Sequence, residues 1–151
     1  MRIETFFPYR LAVSAEAFSR QLVAVYGREY GLSREEWRLL FLIEDAGVID
    51  SLLLSNRTSL DRVQVSRAAS RLEAKGLIVR EIPASDRRLR QYAITPSGRD
   101  LFRRVFSAVA ARADQILGAM SEDDREALLK GVEALGIAAA SLAGDEQDAG
   151  R

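Results

Sequence analysis

Residues Asp61 to Gly76 read DRVQVSRAASRLEAKG, and this stretch decides the fold. Asp61 is a good helix N-cap, and Gln64, three residues on, completes the spacing of a capping box. Gly76 stands where a helix end favours a residue that tolerates positive φ. Between these ends Val65, Ala68, Ala69 and Leu72 form one apolar stripe at helical spacing, while Arg67, Arg71 and Lys75 rise at i, i+4, i+8 on a neighbouring face. Alanines make up half of that stripe, which suits a helix lying close against another. The spacing predicts a short helix held from behind with a basic front.

The residues after it complete a motif. LIVREI (Leu77 to Ile82) has strand composition, PASDRRLR (Pro83 to Arg90) is an arginine-rich polar turn, and QYAIT (Gln91 to Thr95) is a second strand. Helix, hairpin and basic tip together make a winged helix–turn–helix. In that arrangement the helix enters the major groove and the loop reaches the minor groove or the backbone.

Charge agrees with this reading by its distribution. Net charge is zero over the 151 residues, yet from Arg57 to Arg90 nine basic residues face four acidic ones. A local excess of that kind marks an anion-binding surface rather than indiscriminate attraction to nucleic acid. Cysteine and histidine are both absent, which excludes thiol redox sensing, disulfides, His/Cys zinc sites and a histidine general base. No apolar run approaches the roughly 18 residues of a membrane span, and the start lacks a signal-peptide layout. The expectation is a cytoplasmic chain that carries no membrane anchor.

Working outward, Pro8 suits the first turn of a helix. Leu11, Ala15, Phe18, Leu22 and Val25 or Tyr26 then repeat at three and four, a near-heptad stripe that fits a partner helix. Ser33 with Glu36 forms another capping box, opening a helix through Trp37, Leu40, Phe41 and Ile43 to Glu44. Val48-Ile49 offers a third strand to the hairpin, and Asp50 caps a short helix from Ser51 to about Arg57. After the hairpin, Thr95-Pro96 is an N-cap with proline at the first helical position. Apolar residues continue to about Leu117, and Ser121 with Asp124 restarts a last helix. Residues 144–151, GDEQDAGR, have the composition of a frayed tail.

The expected fold is therefore mainly α with a small β-hairpin wing. A winged helix–turn–helix region at 33–95 is bracketed by helices at 8–30 and 97–142, and residues 144–151 form a disordered tail. The bracketing helices carry more apolar surface than so small a fold needs and are read as dimerisation helices, because a lone major-groove helix touches too few base pairs to be selective.

Asp86-Arg87-Arg88-Leu89-Arg90-Gln91-Tyr92-Ala93-Ile94-Thr95-Pro96-Ser97-Gly98 resembles the D-R-R…L-T-P-x-G signature of the MarR family of bacterial transcription regulators. Upstream, VSRAASRLEAKGLIVRE (Val65 to Glu81) is similar to that family's recognition helix and first wing strand. The resemblance implies an obligate homodimer on a pseudo-palindromic double-stranded DNA operator, usually a repressor released by a small phenolic or aromatic ligand. It matches Arg88 to the arginine that such wings put into the minor groove, and Asp86 to the carboxylate that orients the wing arginines. It matches Arg62, Val63, Gln64 and Arg67 to the groove-facing start of the recognition helix. Ser59 departs from the glycine many members have before that helix, and Leu89 and Tyr92 make the wing bulkier.

Candidate DNA contacts are thus Arg62, Val63, Gln64, Ser66, Arg67 and Arg71 on the helix, with Asp86, Arg87, Arg88 and Arg90 on the wing. Arg67 and Arg71 suit phosphate clamping, since only the first turns of such a helix reach base edges. Gln64 has two competing uses, bonding back to Asp61 or pairing with adenine. Lys75 complements the helix dipole. Tyr9, Arg10, Trp37, Arg38 and Phe41 are candidates for an effector pocket that would take an aromatic carboxylate or acyl-CoA, although aromatics at helical spacing also serve as core. The rival reading is a helical protein–protein adaptor that keeps the winged fold without binding DNA. Glu35-Glu36 and Glu122-Asp123-Asp124 sit in first helical turns, where the dipole favours acids. No catalytic residue, cofactor or metal is expected.

Overall fold

Side-chain caps set the helix starts that the sequence marks. The computed structural model describes residues 2–85 and 90–148, with 143–148 as backbone alone. After a 3-10 turn at Ile3–Thr5, the helices are α1 (Phe7–Tyr26), α2 (Arg34–Ala46), α3 (Ser51–Thr58), α4 (Arg62–Ala74), α5 (Pro96–Gly118) and α6 (Glu122–Asp148). Three short strands, β1 (Val48–Asp50), β2 (Ile78–Glu81) and β3 (Gln91–Ile94), form one antiparallel sheet in the order β1-β3-β2. Ile49 lies opposite Tyr92, and Arg80 faces Tyr92 from the other side. The protein is a mainly helical winged helix–turn–helix whose wing stem is β2 and β3.

Both capping boxes close. Ser33 accepts from the Glu36 amide while Glu36 reaches back to the Ser33 amide, and Asp61 and Gln64 do the same at the head of α4. At the other end of α4 the Gly76 amide donates to the Glu73 carbonyl at 2.9 Å and the Leu77 amide to that of Leu72 at 3.0 Å. This is a Schellman stop, and it requires the left-handed φ of 72° found at Gly76. The α3–α4 turn is tighter still. Ser59 sits there at φ 57°, the one non-glycine residue with positive φ among those described, in a region that glycine enters without a Cβ penalty.

Two compact units divide the described chain, one up to Arg112 and one from Ala113 onward. The core of the first is built by Leu39, Leu40 and Ile43 of α2, Leu54 of α3, Leu72 of α4, Ile78 of β2 and Val105 of α5, each essentially inaccessible. Complete burial of side chains this size contributes roughly 1.5–3 kcal/mol apiece. In the second unit Ser121 caps α6 by accepting from the Asp124 amide at 3.2 Å. Leu129, Val132, Ile137 and Leu142 of α6 stay exposed. The helix also runs on through Gly144 to Asp148 where a tail was expected. Alanine and leucine dominate its second half, and their propensity offsets the roughly 1 kcal/mol cost of each glycine.

Two close contacts fix the recognition elements. Glu36, 2% exposed, accepts from the Ser33 amide and from Lys75 Nζ, each at 2.8 Å, and from Arg71 Nε at 3.2 Å. Lys75 Nζ also donates to the Gly31 carbonyl at 2.9 Å. The lock therefore joins the start of α2 to the last turn of α4. Burial by itself would raise the Glu36 pKa. The Lys75 ammonium, the Ser33 amide and the nearby Arg71 charge outweigh it and hold the carboxyl below its usual range.

The second contact explains the T-P-x-G run. Thr95 caps α5 by accepting from the Gly98 amide at 2.9 Å, while its hydroxyl donates to the Gly76 carbonyl at 2.7 Å and its amide to the Leu77 carbonyl at 3.0 Å. A Cβ on Gly98 would overlap the Leu77 carbonyl. Only glycine lets α5 lie this near the entry to the wing.

Gly98→Ala should accordingly destabilise the protein by ~1–3 kcal/mol through overpacking, read as a lower Tm in thermal denaturation. Glu36→Gln should cost ~1–3 kcal/mol at neutral pH. With its folded pKa below the unfolded value, Glu36 stabilises the protein above about pH 4.3, and that contribution disappears as pH falls through the folded pKa. Urea titrations between pH 7 and pH 3 should show a shallower acid loss for Glu36→Gln than for the wild type.

Candidate nucleic-acid interface

The recognition helix α4 turns Val65, Ala68, Ala69 and Leu72 inward, all of them buried. On the opposite side Val63, Arg67 and Ser70, at i, i+4 and i+7, stand exposed along the outer edge. Arg62 and Ser66 flank that edge toward the wing. Ser51 donates its amide to the Arg90 carbonyl at 2.9 Å, which ties the base of the wing to the start of α3. Arg62, Ser66 and Arg90 thereby line one hollow of about 410 Å³ with Ser51, Leu52, Val65 and Tyr92. Its chemistry, two guanidiniums and three hydroxyls beside a helix start, suits a phosphate of a nucleic-acid backbone.

Other candidates are already engaged. Gln64 Oε1 accepts from the Asp61 amide at 3.1 Å, so of its two possible uses the structure has the cap. Arg71 does not project freely from the basic front, because its Nε is bound to Glu36 and its side chain is half exposed. Its Nε partner lies 35 residues away, one that helical spacing does not reveal. Lys75 belongs to the same lock. Arg80 of β2 pairs with Glu73 at 3.4 Å, which fastens the wing stem to α4. The wing-tip candidates Asp86, Arg87 and Arg88 lie outside the described residues.

A second concavity, of about 490 Å³, lies on the other side of α2. Trp37, Arg38 and Phe41 of α2 line it together with Ser19 and Tyr26 of α1 and Arg57 at the end of α3. Trp37 stacks on Tyr26 at 5.8 Å and on Phe102 at 5.5 Å, and meets Phe41 edge-on at 6.1 Å. Arg38 Nη1 donates to the Thr58 carbonyl at 3.0 Å, on the last turn of α3. Arg34, also in the lining, holds Glu16 through two bonds at 3.0 and 3.1 Å. That pairing lowers the pKa of Glu16 and raises that of Arg34. Burial pushes the Tyr26 phenol up against the opposing charges of Arg34 and Arg38. An apolar floor with arginines at its rim suits a planar anion.

The cleft brings together Trp37, Arg38 and Phe41 of the five pocket candidates and excludes Tyr9 and Arg10. Those two sit in the first turn of α1, whose 20 residues span about 30 Å, whereas the cleft meets α1 at Ser19, Leu22 and Tyr26. Arg34 and Arg57 were not singled out from the sequence. Arg34 and Arg38 at i, i+4, on the helix that carries Trp37 and Phe41, were the available signal.

Known proteins share this architecture. Residues 30–89 match the family model described as MarR family. The regulator FarR of Neisseria gonorrhoeae, an HTH-type transcriptional regulator, is 29% identical over 85 residues, which is 56% of this chain and 58% of FarR. This chain thus spans less than two thirds of that relative. Among solved structures, BpsR of Bordetella bronchiseptica, whose DNA binding is described as regulated by 6-hydroxynicotinic acid, superposes with a TM-score of 0.79 at 17% identity, over 90% of this chain and 96% of BpsR. The transcriptional repressor CouR, solved on a 23-mer DNA duplex, gives 0.77 at 22% identity, over 87% and 92% of the two chains. At these identities the two structures attest the fold alone. Over residues 30–89, and in its winged architecture, this chain is similar to the MarR family of transcriptional regulators.

Proposed function

We propose that the chain acts as a homodimer that binds a pseudo-palindromic DNA operator, represses transcription there, and is released by a small aromatic acid. The observation that carries this reading is the recognition helix itself. It is capped, anchored from behind and free along its outer edge, with Arg62 and Arg90 gathered at its wing side. No bond making or breaking is required of any side chain. Binding of DNA is an exchange of phosphate contacts for released counterions, with base edges supplying selectivity.

Geometry and surface support duplication of the chain. Two recognition helices about 34–36 Å apart enter successive major grooves. Exposed apolar residues at both ends of the chain suit burial between copies: Ile3, Phe6, Phe7 and Val13 near the start, Leu129, Val132 and Ile137 on α6. The aromatic cleft supports the ligand arm of the proposal. BpsR and CouR supply precedents, in other proteins, for regulation by an aromatic acid and for repression. A ligand releases DNA to the extent that it prefers the conformation with the wrong helix separation.

In mobility-shift titrations on DNA from the protein's own upstream region, affinity should fall steeply with salt, and Arg62→Ala should weaken binding by ~1–3 kcal/mol. Salt-independent or absent binding would favour the protein–protein adaptor instead. The chain has a single tryptophan, and it lines the cleft. Titration with 6-hydroxynicotinic acid should therefore quench Trp37 fluorescence, and Arg38→Ala should weaken that binding about tenfold by removing a charge-assisted hydrogen bond. An unchanged emission spectrum at saturating acid would remove this ligand class.

A further inference from the structure

Resting on the DNA-binding reading above, we propose that Val63 reads the 5-methyl group of a thymine in each half of the operator. Val63 occupies the first turn of α4, directly opposite the buried stripe, and is 57% exposed. On a helix that packs its back against the fold, this is the position that penetrates a groove most deeply. Several polar side chains of α4 are engaged elsewhere. Gln64 is closed onto Asp61, Arg71 and Lys75 are held by Glu36, and Glu73 pairs with Arg80.

The chemistry of the groove then selects the partner. The major-groove edges of base pairs present donors and acceptors, and the thymine methyl is their one apolar group. An isopropyl group set against an amino or carbonyl edge would strip it of water and return no hydrogen bond. Set against the methyl, it removes apolar surface from water on both sides. Arg67, one turn further along the same edge, carries no ion pair among the described residues and supplies charge beside this contact without reading it.

The test uses a duplex enriched by the full-length protein from a random DNA pool. Each thymine is replaced in turn by deoxyuridine, which deletes only the methyl, and binding is followed by fluorescence anisotropy at fixed salt. One symmetry-related thymine per half should weaken wild-type binding about fourfold when replaced. Val63→Ala should bind the thymine and uracil duplexes equally. Arg67→Ala should bind both more weakly while preserving their ratio, which separates base reading from general loss of affinity. Enrichment of a sequence in which no thymine is sensitive to replacement, or a Val63→Ala protein that keeps the wild-type ratio, overturns the role of Val63 and leaves the DNA-binding reading standing. Failure to enrich any sequence overturns both.

Discussion

A carboxylate buried between two helices is the constraint on which the rest of this structure depends. Glu36 would cost several kcal/mol if it stood alone in the interior. It is tolerated because a backbone amide, an ammonium and a guanidinium converge on its two oxygens. Those partners come from two elements, the start of α2 and the last turns of α4. Losing register between the helices would leave the charge without its donors, so the ionic cluster fixes one angle for α4 against α2. The apolar stripe beneath it, rich in alanine, fixes only proximity.

Helix α2 consequently has two jobs on two faces. One face grips the recognition helix through Glu36 and through Leu39, Leu40 and Ile43. The other lines the aromatic cleft with Trp37, Arg38 and Phe41, and Arg38 reaches across to the carbonyl that precedes the strained Ser59 turn. Any group that binds in the cleft and alters Arg38 or the Trp37 stack acts on an element rigidly fastened to α4. This is the physical form that coupling between two sites takes, a shared rigid body whose position both sites bias.

The sequence was most informative where structure is local. Asp61 with Gln64, Ser33 with Glu36, Asp50 and Thr95-Pro96 mark helix starts within three residues, and the helices begin there. The three strands also lie where β-branched and aromatic runs placed them. Spacing could not reveal partners distant in the chain. Glu36 read as a cap and a first-turn acid, and nothing local showed that Arg71 and Lys75 would close over it. Tyr9 and Arg10 read as an aromatic and a cation suited to an anionic aromatic ligand, whereas the length of α1 carries them away from the cleft. The family resemblance included T-P-x-G, and its glycine acquires a reason only when α5 is seen against the Leu77 carbonyl.

That glycine has a mechanical consequence. With Thr95 bonded to the carbonyls of Gly76 and Leu77, and Gly98 in contact with the same backbone, the hairpin stem is welded to the head of α5. The strands therefore behave as a crank fixed to a shaft. A twist applied to α5 is delivered as a swing of the wing, and no slack at the joint absorbs it.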